Sequence, residues 1–447
     1  MRFTFLAALL LASAGPLQAR DEAKPNVVVI LTDDQGSVDA GCYGATDLET
    51  PNIDALADRG VRFTQFCAAA PVCSASRAGL MTGRYPLRAG MPGNASSTAG
   101  VAGMPSSEVT MAEMFRAAGY ATGHVGKWHL GYSPETRPIG QGFDHSFGHM
   151  GGCIDNYSHF FFWDGPNRHD LWSDSTEIQR PGRFFPDLMV EEASRFLDAN
   201  RDRPFFLYFA LNMPHYPYQG EPRWLEHYKA LKSPRNLYAA FVSTLDARIG
   251  TLVAKLDALG LRENTIIVFQ SDHGHSTEIR AFGGGGNAGP YRGAKFSMFE
   301  GGIRVPAIVS WPGRIPEGQV RGQLAHGCDW MPTAAELCGV KLLNTDIDGR
   351  SLVSVLNSAD APSPHETTHW QTGTGKNAQW AVRHGDWKLI GNPLDTGNTG
   401  LPAPDGPLFL SDLADDIGET RDHSAEHPEI VADLLKRRER WIKSIAK

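Results

Sequence analysis

The sequence predicts an α/β protein: a large mixed, mostly parallel sheet flanked by helices, with a small antiparallel sheet and a helix at the C-terminus. Three observations predict it. Continuous apolar runs of strand length alternate with helical periodicity as far as about residue 355. Two of the strongest runs end abruptly in clusters of Asp, His and Gly. Beyond Ala361-Pro362-Ser363-Pro364 the pattern changes to short alternating strands.

Each element has a local reason. Asn26-Val27-Val28-Val29-Ile30-Leu31 is apolar without alternation, as expected of a parallel strand buried on both faces, and it ends in Thr32-Asp33-Asp34-Gln35-Gly36. Thr50-Pro51 opens a short helix that Gly60 closes. Pro71 precedes Cys73, and residues 74–81 read as a helix with Ala, Leu and Met inside. Pro204-Phe205-Phe206-Leu207-Tyr208-Phe209-Ala210-Leu211 is a second buried strand, followed by Asn212-Met213-Pro214-His215. Phe241, Leu245, Ile249, Leu252, Leu256 and Leu259 form a helical stripe ended by Gly260. Thr265-Ile266-Ile267-Val268-Phe269 is a third buried strand and leads into Gln270-Ser271-Asp272-His273-Gly274-His275. Residues 282–290, with four consecutive glycines, read as a mobile loop on the rim between Asp272 and Lys295, without the Gly-Lys-Ser/Thr of a P-loop. Gln379-Trp380-Ala381-Val382-Arg383 and Trp387-Lys388-Leu389-Ile390 form a hairpin about His384-Gly385-Asp386. Pro407-Leu408-Phe409-Leu410 adds a third strand, and a helix runs from Pro428 to the C-terminus.

Composition narrows the class of partner. Residues 1–19 read as a secretory signal peptide, with one basic residue, an apolar stretch too short to span a bilayer, and small residues before a cut after Ala19. The expected location is therefore exported, periplasmic or extracellular, with no membrane anchor. The chain carries 42 basic and 50 acidic residues, net −8; losing Arg2 with the signal leaves 41 against 50, net −9. Such a balance argues against nucleic acid or an anionic membrane as partner. It also repels a polyanion at long range, so recognition of an anion rests on local Lys, Arg and His clusters. Six cysteines, Cys42, Cys67, Cys73, Cys153, Cys328 and Cys338, do not make a disulfide-dense scaffold.

The candidate chemistry lies at strand ends and at one helix start. Ligands of open α/β sheets sit at the carboxyl ends of the strands, so Asp33, Asp34 and Asp272 are placed to converge. Three carboxylates at close range raise one another's pKa unless a cation compensates them, and Ca²⁺ with its oxygen ligands is the natural choice. Cys73 stands at the positive end of a helix, which favours negative charge on its side chain, and Arg77 lies four residues on, on the same face, within reach of residue 73.

Cys73-Ser74-Ala75-Ser76-Arg77, continued by Leu80-Met81-Thr82-Gly83-Arg84, resembles the signature of the type I, formylglycine-dependent sulfatases of the alkaline phosphatase superfamily. Thr122-Gly123-His124-Val125-Gly126-Lys127-Trp128-His129-Leu130-Gly131 is similar to that family's Gly-Lys-Trp-His-Leu-Gly element. Tyr291-Arg292-Gly293-Ala294-Lys295 before Glu300-Gly301-Gly302-Ile303-Arg304-Val305-Pro306 follows its wording again. The likeness extends over nearly all of residues 24–447, dividing them into a catalytic part, 24–360, and a C-terminal α+β subdomain, 361–447.

The resemblance implies a sulfuric ester hydrolase in which a maturation enzyme converts Cys73 to formylglycine. It implies Asp33, Asp34, Asp272, His273 and the modified residue 73 as ligands of Ca²⁺. It gives Cys73, Arg77, Lys127, His129, His215 and Lys295 catalytic places: Lys127 and Lys295 to neutralise the sulfate, His215 to protonate the leaving alcohol, His129 to take a proton. Many members have Asn where His273 stands. The commonest core has Pro where Ala75 stands, and the looser pattern is associated with bacterial radical maturases. The implied substrate is a sulfated saccharide, for which the rings of Tyr157-Ser158-His159-Phe160-Phe161-Phe162-Trp163 offer stacking surfaces. Two alternatives remain open: a phosphodiesterase or phosphonate monoester hydrolase of the same superfamily, and an unmatured saccharide-binding protein.

Overall fold

A computed structural model of the chain describes residues 24–162 and 167–445. The expected signal peptide and Trp163 lie outside the described residues. The main sheet has ten strands: β1 (Asn26–Thr32), β2 (Val61–Phe63), β3 (Ala121–Lys127), β4 (His145–His149), β5 (Trp172–Ser173), β6 (Thr176–Glu177), β7 (Phe205–Ala210), β8 (Thr265–Ser271), β9 (Ala307–Ser310) and β10 (Gln319–Arg321). Their order is β10-β2-β9-β8-β1-β7-β3-β4-β5-β6. The five central strands, β8-β1-β7-β3-β4, are mutually parallel, and antiparallel pairs appear only toward the edges, so the sheet is mixed as expected.

The unbroken apolar runs are explained by two cores, one on each face. Val28, Ile30, Leu207, Phe209, Ile267 and Phe269 pack with α1 (Pro51–Asp58), α4 (Phe185–Asn200) and α5 (Arg235–Ala258). Val27, Val29, Leu31, Phe206, Tyr208, Ile266 and Val268 face the other way, toward α2 (Cys73–Thr82) and α3 (Met111–Ala117). Alternate residues thus serve opposite cores, and none can be polar. α5 is long and apolar enough to cross a membrane by length and composition, but most of it is buried in this core.

The second sheet holds β11 (Thr367–Thr372), β12 (Gln379–His384), β13 (Trp387–Gly391) and β14 (Leu408–Asp412) in sequential antiparallel order. The expected hairpin and third strand are there; β11 is an addition. One face (Trp370, Ala381, Ile390, Phe409) packs on Met298, Phe299 and Ile303. The other (Trp380, Val382, Leu389, Leu410) receives Leu434 of α6 (Pro428–Ile445), the closing helix.

A buried ionic knot ties the two sheets. Lys388 of β13 lies 2.7 Å from Glu300 and 2.8 Å from Glu419, and Glu300 also holds Arg304 at 2.6 Å. Burial pushes Glu300 up, but Lys388 and Arg304 outweigh it and hold its carboxyl below the usual carboxylate range. Removing the shared cation strands Glu419 in a dry place and leaves Glu300 with Arg304 alone. Lys388→Met should lower stability by about 3–5 kcal/mol, read from urea unfolding at neutral pH; a loss within about 0.5 kcal/mol, the usual surface effect, would show that the knot is not what joins the sheets.

Candidate active site

The parallel central strands deliver their ends to one place. Asp33 and Asp34 follow β1, Lys127 ends β3, His215 follows β7, and Asp272 and His273 follow β8. The ladder continues one step past the strands: Asp272 N–H donates to Thr32 O at 2.9 Å, and Asp33 N–H to Met213 O at 2.9 Å. Side chains at these points are therefore positioned by sheet hydrogen bonds rather than by free loops.

α2 brings the remaining groups. It begins at Cys73 itself, with Val72 as its cap residue and no side-chain cap from its own sequence. The missing cap comes from elsewhere: Ser74 N–H donates to Asn94 Oδ1 at 3.0 Å, and Ala95 N–H donates to Ser74 Oγ at 2.9 Å. Gly83 ends the helix in the left-handed region, φ 67°, which suits a residue without Cβ. Every residue of α2 is buried, including Arg77.

Arg77 does not turn its hydrogen bonds to residue 73, as its helical spacing suggested. Its guanidinium grips Asp272 Oδ2 from Nη2 at 2.9 Å and from Nε at 3.2 Å, lies 3.3 Å from Asp33, and donates to Lys127 O. A fork of donors between two buried carboxylates satisfies more charge than one contact to a side chain at the helix start. Lys127 Nζ reaches both oxygens of Asp33, at 2.7 and 2.9 Å. Lys295 Nζ donates to Asp34 Oδ2 at 3.0 Å and stands 3.5 Å from Glu278, a partner the sequence did not suggest.

Ligand atoms of Asp33, Cys73, Asp272 and His273 lie within 4.8 Å of one another. His273 Nε2 is 3.2 Å from Cys73 Sγ, while Nδ1 is tied to Gly274 O at 2.9 Å. That second contact needs a proton on Nδ1; burial pushes the imidazole down, but Asp272 and Cys73 outweigh it and raise it to about 9, so Nε2 faces the cluster and becomes a ligand when a cation takes the place of its proton. Asp34 stands beside this group, Oδ1 3.5 Å from His273 Nε2, in a left-handed conformation with φ 63°. Its Oδ1 is buried without a hydrogen-bond partner.

The electrostatics show a deficit of positive charge. Asp33 is pushed up by burial, but Lys127, His215 and Arg77 outweigh this and hold it well below the carboxylate range. The other two are not fully compensated. Burial pushes Asp34 up to about 8 despite Lys295 and His273, and burial raises Asp272 as well. Three carboxylates, one of them with an orphaned oxygen, and an imidazole nitrogen are a donor set that a hard divalent cation fits. Burial pushes the Cys73 thiol up, yet Lys127, Lys295 and His273 more than offset it and bring it to about 6. His129 and His215 are held far below the ordinary imidazole value by burial and by the nearby Lys127 and Lys295, so both are neutral at neutral pH.

Above this floor lies a cavity of about 310 Å³ lined by Cys73, His129, His215 and Lys295, by segment 94–98, by Gly152 and Cys153, and by Phe161 and Phe296. Gly152 lies so close to His129 that a Cβ there would stand 2.9 Å from the ring. Among the described residues of the aromatic run offered as a stacking surface, Phe161 is the ring that lines the cavity. The glycine-rich segment 282–290 does not line it. Gly285 packs on Tyr238 and Gly286 on His275, while Asn287 N–H donates to Asp39, so the segment braces α5 and the residues that follow β1 and β8 instead. Segment 94–98, Gly152 and Phe296 were not singled out in the sequence; the run Asn94-Ala95-Ser96-Ser97-Thr98 after Pro92-Gly93 signals only a polar loop. All six cysteines are free thiols.

A cysteine at a buried helix start, facing carboxylates and cations at parallel strand ends, is an arrangement suited to the hydrolysis of an anionic ester. Comparison with known proteins narrows the class. The Sulfatase family profile matches residues 25–340, and the profile described as N-sulphoglucosamine sulphohydrolase, C-terminal, matches residues 292–396. The chain is similar to human arylsulfatase A, 36% identical over 92% of this chain and 85% of that protein. It is 36% identical to rat N-acetylgalactosamine-6-sulfatase over 74% of this chain and 65% of that one. Among solved structures it is similar to Ps i-CgsB in complex with k-i-k-neocarrahexaose, with TM-score 0.82 and 30% identity over 94% of this chain and 92% of that one. The chain belongs to the type I sulfatase family of the alkaline phosphatase superfamily, and it is a sulfatase.

Proposed function

We propose that the protein releases inorganic sulfate from a sulfated saccharide, using a formylglycine made from Cys73, after export under the direction of residues 1–19. The observation that carries the reading is the floor of the cavity, where Cys73, Lys295, His129 and His215 meet above the Asp33–Asp272–His273 cluster. Relatives whose names specify a sulfated sugar, such as N-acetylgalactosamine-6-sulfatase, support the substrate class. The catalytic part is residues 24–360, with 361–447 as its C-terminal subdomain.

In this reading Asp33, Asp34, Asp272, His273 and the modified residue 73 hold one Ca²⁺, which supplies positive charge for the sulfate oxygens. The aldehyde hydrate at residue 73 supplies one hydroxyl to attack sulfur and a second whose deprotonation expels sulfate. Lys127 and Lys295 hold ammonium charge at the floor, each steadied by one aspartate, and offset the sulfate in a buried place where water screens little. Arg77 helps to keep Asp33 ionised and holds it in register with Asp272. His215 has Nδ1 tied to Tyr216 O, which leaves Nε2 for the leaving oxygen, and the arriving anion favours its protonated form. His129, neutral with a buried and unpartnered Nδ1, takes the proton when sulfate departs.

Peptide mass spectrometry across residue 73 of the active protein should find the aldehyde or its hydrate, and Cys73→Ala should lower nitrophenyl sulfate turnover by at least about a thousandfold. An unmodified thiol in fully active protein would sink the mechanism. Faster turnover of a nitrophenyl phosphodiester than of the sulfate would move the enzyme to the other branch of the superfamily. Chelation should abolish activity, and Ca²⁺ should restore it better than Zn²⁺, because most of the donors are oxygens; full activity in protein shown metal-free by elemental analysis contradicts this. His215→Ala should cost about 10²–10⁴-fold on a sugar sulfate and distinctly less on nitrophenyl sulfate, whose phenolate leaves unaided. Equal losses on both substrates would remove His215 from the role of acid.

A further inference from the structure

The cavity has a charged floor and an uncharged rim. Apart from Lys295, the lining offers no Lys or Arg among the described residues; His129 and His215 are the other basic groups, and both belong to the floor. Above them stand the hydroxyls of Ser96, Ser97 and Thr98 and the rings of Phe161 and Phe296. Arg168 rests against Phe161, its guanidinium 4.0 Å from the ring centre, but it does not line the cavity.

The cations of the floor are also already committed. Arg77 serves Asp272 and Asp33, Lys127 serves Asp33, and Lys295 serves Asp34 with Glu278 at its side. A first anion, the sulfate, meets this floor. A second anion on the same ring would be lifted against hydroxyls and phenyl faces, stripped of water, with no cation to meet it. The rim suits the opposite chemistry: hydroxyls pair with ring hydroxyls, and phenyl faces cover the C–H surface of a pyranose. At about 310 Å³ the space lies at the small end of small-molecule sites, on the order of 300–1,000 Å³, which is room for one ring rather than a chain.

We infer that the ring carrying the scissile sulfate is otherwise uncharged: a singly sulfated neutral hexopyranose, without a carboxylate or a second sulfate, read by Ser96, Ser97, Thr98, Phe161 and Phe296. This rests on the sulfatase reading proposed above and narrows it. Ser97 is a positioning residue as well as a lining one, since its Oγ accepts from Gly152 N–H at 3.0 Å and so joins the rim to the segment beside His129. Ser96 and Thr98 are exposed at the rim and free to be exchanged without disturbing a core.

The test separates binding from turnover. Calorimetry on the Cys73→Ala protein would use a panel of singly sulfated galactose and glucose isomers, their disulfated counterparts and sulfated glucuronates. The tightest ligand should be a singly sulfated neutral ring, with each counterpart carrying a further anion at least about tenfold weaker, the equivalent of 1.4 kcal/mol. Thr98→Lys in the same background should shrink that ratio by supplying the missing cation, whereas Thr98→Ser should leave it unchanged. A disulfated or uronate ring binding as tightly as the best neutral one overturns the inference, as does failure of every panel member to bind. Turnover of nitrophenyl sulfate by the unaltered enzyme tests the parent reading independently. Activity there with a preference for the doubly charged ring refutes only the inference.

Discussion

The constraint on which the molecule depends is the burial of three carboxylates and three cations together at the ends of parallel strands. Each ion costs several kcal/mol to remove from water, and attraction between them repays this only when every donor meets its acceptor. Arg77 is the piece that makes this arithmetic work. Wholly buried, it bridges Asp272 and Asp33 and the carbonyl of Lys127, so it links the carboxyl ends of three strands at once. A fold with a less rigid floor could not hold such a set in register, which explains why the site is built on sheet hydrogen bonds and a fully buried helix.

The same constraint explains the shape of the scaffold. A sheet edge or a one-sided sheet would admit water to the strand ends and weaken the local fields. Here the strands that carry the site are central, with separate cores on both faces, and the site is closed from above by segments that wrap back from residues 94–98, 152–153 and 295–296. The knot of Glu300, Lys388, Glu419 and Arg304 repeats the principle at the junction with the second sheet: neighbouring acids sharing a cation, held where water is absent.

Much of this was legible in the sequence because it is written locally. Runs such as Asn26-Val27-Val28-Val29-Ile30-Leu31 declare a doubly buried strand, and an aspartate pair at the run's end declares what the strand carries. Asp33, Asp272, His273 and Cys73 do converge, and Lys127, His129, His215 and Lys295 surround them. What stayed hidden is non-local. The capping of α2 by Asn94, twenty residues away, leaves no periodic trace. The partner of Lys295 in Glu278 and the turning of Arg77 onto Asp272 depend on distances across the fold. The strand Thr367–Thr372 has the right alternation only once its neighbour is known, and the glycine-rich segment read as a rim because its packing against Tyr238 and His275 has no local signal.

Ser74 donates to Asn94 Oδ1 and accepts from Ala95 N–H at one end of the segment that Ser97 and Gly152 anchor at the other. The stretch that lines the cavity is therefore the stretch that holds the start of α2 in place. Inheritance acts on both at once. A lineage drifting toward a new substrate must alter residues 94–98 without loosening the helix start, so tolerated changes concentrate at the two exposed hydroxyl positions, Ser96 and Thr98, on either side of the fixed Ser97. Change of specificity and preservation of the helix start are bound into five consecutive residues.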